Sequence, residues 1–271
     1  MPQGFLFCTT YVEKNSNEFC PFRYKKWIDY YSSLKSELGV EHIFLIEDAS
    51  DREGLEELGA ATVISGDEPL PDSLHGQLNI ISFNKHLGRS SNKDYGGWWR
   101  SFTYSVIIAE KYSFEKIIHI ESDFYTTSPR LRNYIKNFNV GWFSLYSLFF
   151  AFAETAVQVI CKDNFFKLKA FFEEARSNNY RFEEFAELIL PITEVNKSFI
   201  GDRLGEFQVL RYWLQLLEEN WEFDYVGQFP ARLKNFSPHD LKKILLKFKT
   251  LATGKAEEDI GTFNTILGQI A

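Results

Sequence analysis

Cysteine is scarce in this chain of 271 residues, which carries three, and methionine is scarcer still, at one. Cys8, Cys20 and Cys161 are too few and too widely spaced for a disulfide framework or a zinc site. A reducing, cytoplasmic setting is therefore expected. Basic charge is in short supply as well. Thirty Lys and Arg against 37 Asp and Glu leave a formal charge of −7, and without a basic excess no nucleic-acid partner is expected. Long apolar runs are missing. The longest, Trp142 to Ala153, is interrupted by Ser144, Tyr146 and Ser147 and falls short of the ~20 residues that span a bilayer. The opening MPQGFLFCTTYVEKN lacks a basic n-region and does not read as a signal peptide. No internal repeat, low-complexity tract or obvious linker divides the chain, so one continuous domain over 1–271 is expected. CxxC, GxGxxG and a serine-nucleophile elbow are all absent, so redox, Rossmann dehydrogenase and Ser/His/Asp hydrolase chemistries lack their motifs.

What is plentiful is aromatic: 27 Phe, 13 Tyr and 6 Trp. Rings at that density supply a large core and, where exposed, stacking surfaces for sugars or bases. With 45% hydrophobic and 25% charged residues the chain has an ordinary globular composition. Strand and helix signals alternate in its first half. Phe5 to Thr10 is a short β-prone run. Trp27, Tyr31, Leu34 and Leu38 then form one stripe of a helix that Gly39 closes. His42 to Ile46 reads as a strand, as do 61–65 and 78–83. Trp99, Phe102, Val106 and Ala109 mark a second helix, and Lys116 to Ile120 a further strand. Strands separated by helices predict a mainly parallel sheet with helices on both faces. After about residue 125 the pattern changes: one or two strands over 142–153, then helices over 164–177 and 205–219 and a last one opened by Ser237-Pro238-His239-Asp240.

In α/β sheets, ligands gather at the carboxyl ends of the strands, and two acidic pairs fall there. Glu47-Asp48 follows the second strand and Glu121-Ser122-Asp123 follows the Ile-rich one. In an extended stretch, residues i and i+2 project to the same side, so Glu121 and Asp123 can converge on a hard divalent cation. Two solvated acids at a strand end would have the same spelling. Between the pairs, residues 86–100 form a loop framed by glycines 88, 96 and 97 that opens a helix. Its Arg89 and Arg100 suit phosphates, as does a helix N-terminus, although a solvated surface loop would look alike. Of five histidines, His119 lies inside a strand and reads as a core residue, His42 and His75 as surface positions, and His86 sits at the basic loop.

The runs Phe-Leu-Phe-Cys-Thr-Thr, Leu-Ile-Glu-Asp-Ala-Ser, Gly-Gly-Trp-Trp-Arg-Ser-Phe and His-Ile-Glu-Ser-Asp-Phe-Tyr, in that order, resemble the GT-A-type nucleotide-diphospho-sugar glycosyltransferases over about residues 4–128. The resemblance implies a GT-A-like mixed, mainly parallel sheet flanked by helices. Its Rossmann-like nucleotide-binding half would run to about 128, with an acceptor half over 129–271. It implies donor contacts at Thr9, Thr10, Asp48, Arg89, Arg100 and Glu121, and Mn²⁺ or Mg²⁺ held by the DxD-like motif through Asp123, with Glu121 replacing the first Asp of the family pattern. His239, near the C-terminus, would complete the metal shell. Glu154 falls in an acceptor-side segment, and Asp202 and Glu206 are candidate catalytic carboxylates. The activity implied is transfer of a sugar to a glycan, a lipid-linked glycan or another hydroxyl acceptor, in polysaccharide or glycoconjugate synthesis. A nucleotidyltransferase acting on a sugar phosphate uses a related sheet but needs a GxGxR-type loop that this chain lacks. A non-catalytic nucleotide- or carbohydrate-binding module on the same fold is the other alternative. The last helix pairs an apolar stripe (Leu241, Ile244, Leu245, Phe248, Leu251) with four lysines. It is expected to dock on the sheet domain, with peripheral contact to anionic lipid as the other use of such a face.

Overall fold

Phe5 and Phe7 turn to one face of the first strand, and Leu6 and Cys8 to the other. All four are fully buried, because a strand inside a parallel sheet is covered by helices on both sides and reads as an unbroken apolar run. The computed structural model describes residues 4–12, 19–59, 62–91, 93–147, 152–199, 201–203 and 224–227. The predicted helices over 205–219 and from 237 onward lie outside the described residues, as do Glu206 and His239; of Asp202 the backbone alone is described.

In chain order the elements are β1 (Gly4–Thr10), α1 (Phe19–Leu38), β2 (Val40–Glu47), α2 (Arg52–Glu56), β3 (Thr62–Ser65), β4 (Leu78–Ser82), α3 (Gly96–Lys111), β5 (Lys116–Ile120) and β6 (Tyr125–Thr126). They continue with α4 (Pro129–Asn137), β7 (Trp142–Ser147), β8 (Phe152–Cys161), α5 (Phe165–Ser177), α6 (Ala186–Ile189), β9 (Glu194–Asn196), β10 (Gly201–Arg203) and β11 (Tyr225–Gly227). Eight strands form one sheet in the order β3-β4-β2-β1-β5-β8-β7-β9. The first five are mutually parallel. β8 runs antiparallel to β5 and to β7, and β9 is parallel to β7. The expected mixed, mainly parallel sheet flanked by helices is the one found.

Each face of the sheet has its own core. One packs Trp27, Tyr31 and Leu38 of α1 and Leu131 and Ile135 of α4. The other packs Trp99, Phe102 and Val106 of α3 and Leu168 and Phe172 of α5 against Phe5, Phe7 and Phe44. Among the described residues, most of the buried phenylalanines lie in this second core, where Phe5 meets Phe44 edge-on at 5.1 Å. Gly39 ends α1 at φ +72°, the left-handed turn that glycine adopts without a Cβ penalty. α4 begins at Ser128, whose Oγ accepts from the Leu131 N–H at 3.1 Å, with Pro129 at the first helical position. Asp224 anchors β11 here: its backbone carbonyl accepts from the N–H groups of Thr127 and Ser128, and its carboxylate from Arg130. β10, β11 and β6 thus make a second, three-stranded sheet immediately after the turn that carries Glu121 and Asp123. Among the described residues no helix is long and apolar enough to cross a membrane.

Two details depart from the sequence reading. The segment 154–158 belongs to β8 itself, and there the ladder with β7 slips: Ser144 faces Gln158 while the next residue, Leu145, faces Glu154. Thr155, Ala156 and Val157 therefore form a bulge, and the Ala156 carbonyl accepts from the Glu121 N–H at 2.9 Å. His42, expected at the surface, is half-buried, with Nδ1 3.2 Å from the Gly76 carbonyl and its ring edge-on to Phe114.

Candidate functional site

The carboxyl ends of β2, β1 and β5 and the bulge of β8 line one cleft of about 590 Å³, roofed by the loop before α3 and by the first turns of that helix. It gathers Thr9, Thr10, Asp48, Arg89, Glu121, Asp123 and Glu154, so seven residues singled out in the sequence converge. Arg100 is not among them. The structure also brings in Tyr11, Arg23, Tyr24, His86, Trp98 and Ser101, none of which the sequence reading assigned to a donor or metal role.

At the β2 end, Asp48 turns its carboxylate inward. It accepts from the Leu87 N–H at 3.2 Å, the Gly88 N–H at 2.7 Å and the Arg100 guanidinium, and its Oδ2 lies 3.0 Å from His86 Nδ1. A Cβ at position 97 would overlap this carboxylate and force it to shift, so Gly97 is what lets the helix start approach Asp48. Arg100 is 5% exposed, sits over the Phe83 ring and also donates to the Lys85 carbonyl at 2.6 Å. Burial lowers its pKa while Asp48 opposes that shift. The expected donor contact through Arg100 is therefore corrected. Its charge is matched behind the cleft wall by the Asp48 carboxylate, which also accepts from two backbone N–H groups. Glu47 does not line the cleft: it is fully buried and accepts from the Ser50 N–H. Burial raises its pKa, partly offset by the hydrogen bonds from Ser50.

At the β5 end, the strand stops at Ile120 and residues 121–124 form a tight turn in which the Phe124 N–H donates to the Glu121 carbonyl at 2.9 Å. Glu121 and Asp123 share the cleft because of this turn, not because of extended i, i+2 projection. Glu121 accepts from Thr9 Oγ1 at 3.0 Å and from the Trp98 indole N–H, and lies 3.3 Å from His119 Nε2. Burial pushes this carboxyl up, but His119 and the hydrogen bonds of Trp98 and Thr9 more than offset it and hold it below the usual carboxylate value. His119 is a core residue as expected, fully buried among Phe7, Phe102 and Trp98. Asp123 stands nearer the rim, 4.0 Å from Arg23. Trp98 was hidden in the sequence by its neighbour. Trp99 lies on the apolar stripe of α3, and the next position round the helix, about 100° away, points to the cleft.

Two buried hydroxyls face the cleft with no hydrogen-bond partner among the described residues, Thr10 Oγ1 and Ser101 Oγ. Such groups are costly to leave unmatched, and a ligand with polar edges would satisfy them. On the far wall Glu154 is almost fully buried, its Oε1 accepting from the Ala156 N–H at 3.2 Å, and Thr155 donates to Glu187 at 2.8 Å. Arg89 lies over the Tyr95 ring at 4.4 Å.

Among the described residues no cluster of three or more His, Cys, Asp or Glu side chains is placed to hold a metal ion. Two carboxylates on one turn do fit Mg²⁺ or Mn²⁺ held in the manner of nucleotide sites, where one or two protein carboxylates share the ion with substrate phosphates. Glu121 keeps lone-pair capacity beyond its side-chain donors.

No family model and no curated protein matches the chain. Solved structures do resemble it. A galactosyltransferase, LgtC, in complex with donor and acceptor sugar analogues is 9% identical, with 95% of this chain and 99% of that one covered and a TM-score of 0.48. Mouse xyloside xylosyltransferase 1 in its apo form is 11% identical, covering 83% and 97%, with a TM-score of 0.45. The mannosyltransferase PcManGT from Pyrobaculum calidifontis, in complex with GDP-Man and Mn²⁺, is 12% identical, covering 92% and 70%, with a TM-score of 0.40. All three are glycosyltransferases.

Proposed function

We propose that this protein is a metal-dependent glycosyltransferase that moves a sugar from a nucleotide-diphospho-sugar to a hydroxyl acceptor. The observation that carries this reading is the single cleft in which the ends of β2, β1 and β5 bring hydroxyls, aromatic rings, two arginines and the Glu121–Asp123 turn together. The nucleoside lies over Thr9, Thr10 and Tyr11, against the wall that Asp48 builds. Arg89 and Arg23 offset phosphate charge through forked, charge-assisted hydrogen bonds. Asp123 holds the cation, with Glu121 oriented by Thr9, Trp98 and His119; when bound, Mn²⁺ or Mg²⁺ offsets the charge of the departing nucleoside diphosphate. His239 is retained as a further ligand.

Glu154 and Thr155, on the opposite wall, face the acceptor side. Asp202 and Glu206 are the candidate bases for the acceptor proton. Support for Asp202 comes from the backbone: it pairs with Val226, which pairs with Tyr125, two residues after Asp123. The acceptor is a glycan, lipid-linked or free, in polysaccharide or glycoconjugate synthesis. The whole of 1–271 acts as one unit in a reducing, cytoplasmic compartment, which suits the buried free thiols of Cys8 and Cys161. The test is calorimetric titration of nucleoside diphosphates with and without Mn²⁺, followed by donor hydrolysis. Asp123→Asn should fold normally and lose metal-dependent binding, and retention of that binding would overturn the site.

A further inference from the structure

We infer that Arg23 makes cation binding in the cleft conditional on a diphosphate, because it competes with the cation for Asp123 and is drawn off by the phosphates. The inference rests on the metal-dependent reading of the cleft and goes beyond it to how the two ligands are coupled.

Arg23 and Asp123 both line the cleft, and Arg23 Nη1 lies 4.0 Å from Asp123 Oδ2. At that distance the contact is a charge pair and not a hydrogen bond. The two side chains are 34% and 28% exposed, and ion pairs open to water hold weakly. The guanidinium is therefore stationed at the acid turn without being locked to it. Its stem, by contrast, is fixed. The next residue is Tyr24, whose hydroxyl accepts from the Tyr11 N–H at 3.0 Å and donates to the Tyr11 carbonyl at 3.1 Å. One turn further along α1, Trp27 is fully buried. The charged end can swing on its own side-chain torsions while α1 stays in place.

Other arginines of this region are committed differently. Arg100 is buried against Asp48, a permanent pair. Arg89 lies over the Tyr95 ring and donates through Nε to the Ser91 carbonyl at 3.1 Å. Arg23 is the one stationed on a proposed cation ligand, and that sets the sign of its effect. A divalent cation that took Asp123 as a ligand would come beside this guanidinium, and like charges that close repel. Without a diphosphate, Arg23 therefore opposes the cation. A diphosphate shares the cation through its oxygens and offers the guanidinium a forked set of acceptors. Once it is bound, Arg23 and the cation serve the same anion and no longer compete for Asp123. By linkage, the factor by which the diphosphate tightens the cation is the factor by which the cation tightens the diphosphate. Arg23 enlarges that factor.

The experiment counts free Mn²⁺ by electron paramagnetic resonance as the ion is titrated into the wild type, Arg23→Gln and Arg23→Lys. Each protein is titrated without nucleotide and with saturating UDP or GDP, and the Mn²⁺ held by the nucleotide alone is subtracted. Without nucleotide, Arg23→Gln should bind Mn²⁺ about tenfold more tightly than the wild type, the scale of removing one like charge from a partly exposed site. With nucleotide that advantage should vanish, so the coupling factor falls by about tenfold. Arg23→Lys keeps the charge and should keep the wild-type coupling. Damage to the fold would weaken Mn²⁺ binding, so the expected gain separates competition from a structural role. Arg23→Met, which keeps the length of the stem, repeats the test if Arg23→Gln fails to fold. Unchanged or weaker Mn²⁺ binding by the uncharged variants without nucleotide would overturn the inference, and so would a coupling factor equal to that of the wild type. Failure of the metal-dependent reading looks different: none of the proteins would remove Mn²⁺ from solution, with or without nucleotide.

Discussion

Asp48 and Glu121 are both acids just past the end of a parallel strand, and both line the same cleft, yet the protein uses them in opposite ways. Around Asp48 the donors are two backbone N–H groups and a buried guanidinium, all fixed parts of the scaffold. Around Glu121 they are the side chains of Thr9 and Trp98, with His119 beside them, and the neighbouring Asp123 lies toward the rim. The first carboxylate is a bolt that ties the 85–88 loop and α3 to β2. The second faces the cleft, with its orientation set from behind. A strand-end acid is thus a functional candidate only when its partners leave it acceptor capacity, and those partners come from distant parts of the chain.

Removing the bolt should have the largest effect. Arg100→Ala leaves Asp48 buried with a lost counter-charge, and breaking such a pair costs about 3–5 kcal/mol. The loss is expected in the urea midpoint, with nucleotide affinity of the remaining folded protein little changed. A stable Arg100→Ala protein with impaired nucleotide binding would reverse the assignment and return Arg100 to the donor. Gly97→Ala comes next. Its Cβ overlaps the Asp48 carboxylate, and overpacking of this kind costs about 1–3 kcal/mol. Because the carboxylate must move, the loop that carries His86 should move with it, and both stability and nucleotide affinity should fall.

Much of the fold was legible because its signals are local. The stripe Trp27, Tyr31, Leu34, Leu38 and the stop at Gly39 lie within one helix, and the sheet strands from Phe5 to Ile120 carry their own β-prone runs. That Thr9, Thr10, Glu121 and Asp123 share one cleft was legible for the same reason: they sit at strand ends, where the topology gathers side chains. What stayed hidden depends on long-range geometry. The Asp48–Arg100 pair spans 52 positions, so Arg100 read as a free cation. The turn at 121–124 read as extended chain, since nothing in Glu-Ser-Asp-Phe announces the closing hydrogen bond to the Glu121 carbonyl. The bulge at Thr155–Val157 exists only relative to β7, and Trp98 was eclipsed by the core tryptophan beside it.

A smaller effect is expected at the β5 end of the cleft. Trp98→Phe keeps an aromatic ring on Phe102, with which Trp98 stacks at 4.7 Å, and removes one hydrogen bond to Glu121. A hydrogen bond to a charged group is worth about 1.5–3 kcal/mol. Since Glu121 keeps Thr9 and can turn toward solvent, the lower end applies to stability. The clearer readout is the Mn²⁺ dependence of nucleotide binding, which should weaken by about tenfold or more, as when an outer partner of a metal ligand is removed. Unchanged metal dependence would mean that Glu121 is placed by the turn alone.

The smallest effect is in pH dependence, and it has opposite signs for two acids of this region. Glu121 is held below the usual carboxylate value by His119 and its hydrogen-bond donors, against the upward push of burial. The unfolded chain binds its proton first as pH falls, so the stability this group contributes is present above the ordinary value and drains away toward the lower folded one. Glu47 is raised by burial. There the folded state holds the proton longer as pH rises, so stability declines between the ordinary and the raised value and stays lower at neutral pH. Glu47→Gln keeps an oxygen for the Ser50 N–H and carries no charge to bury. It should therefore be more stable than the wild type at neutral pH and lose that advantage on acidification, whereas Glu121→Gln should be less stable at neutral pH and converge with the wild type in acid. Urea midpoints followed from about pH 3 to about pH 8 separate the two curves. Parallel curves for the two variants would show that these carboxylates do not differ in the way their surroundings require.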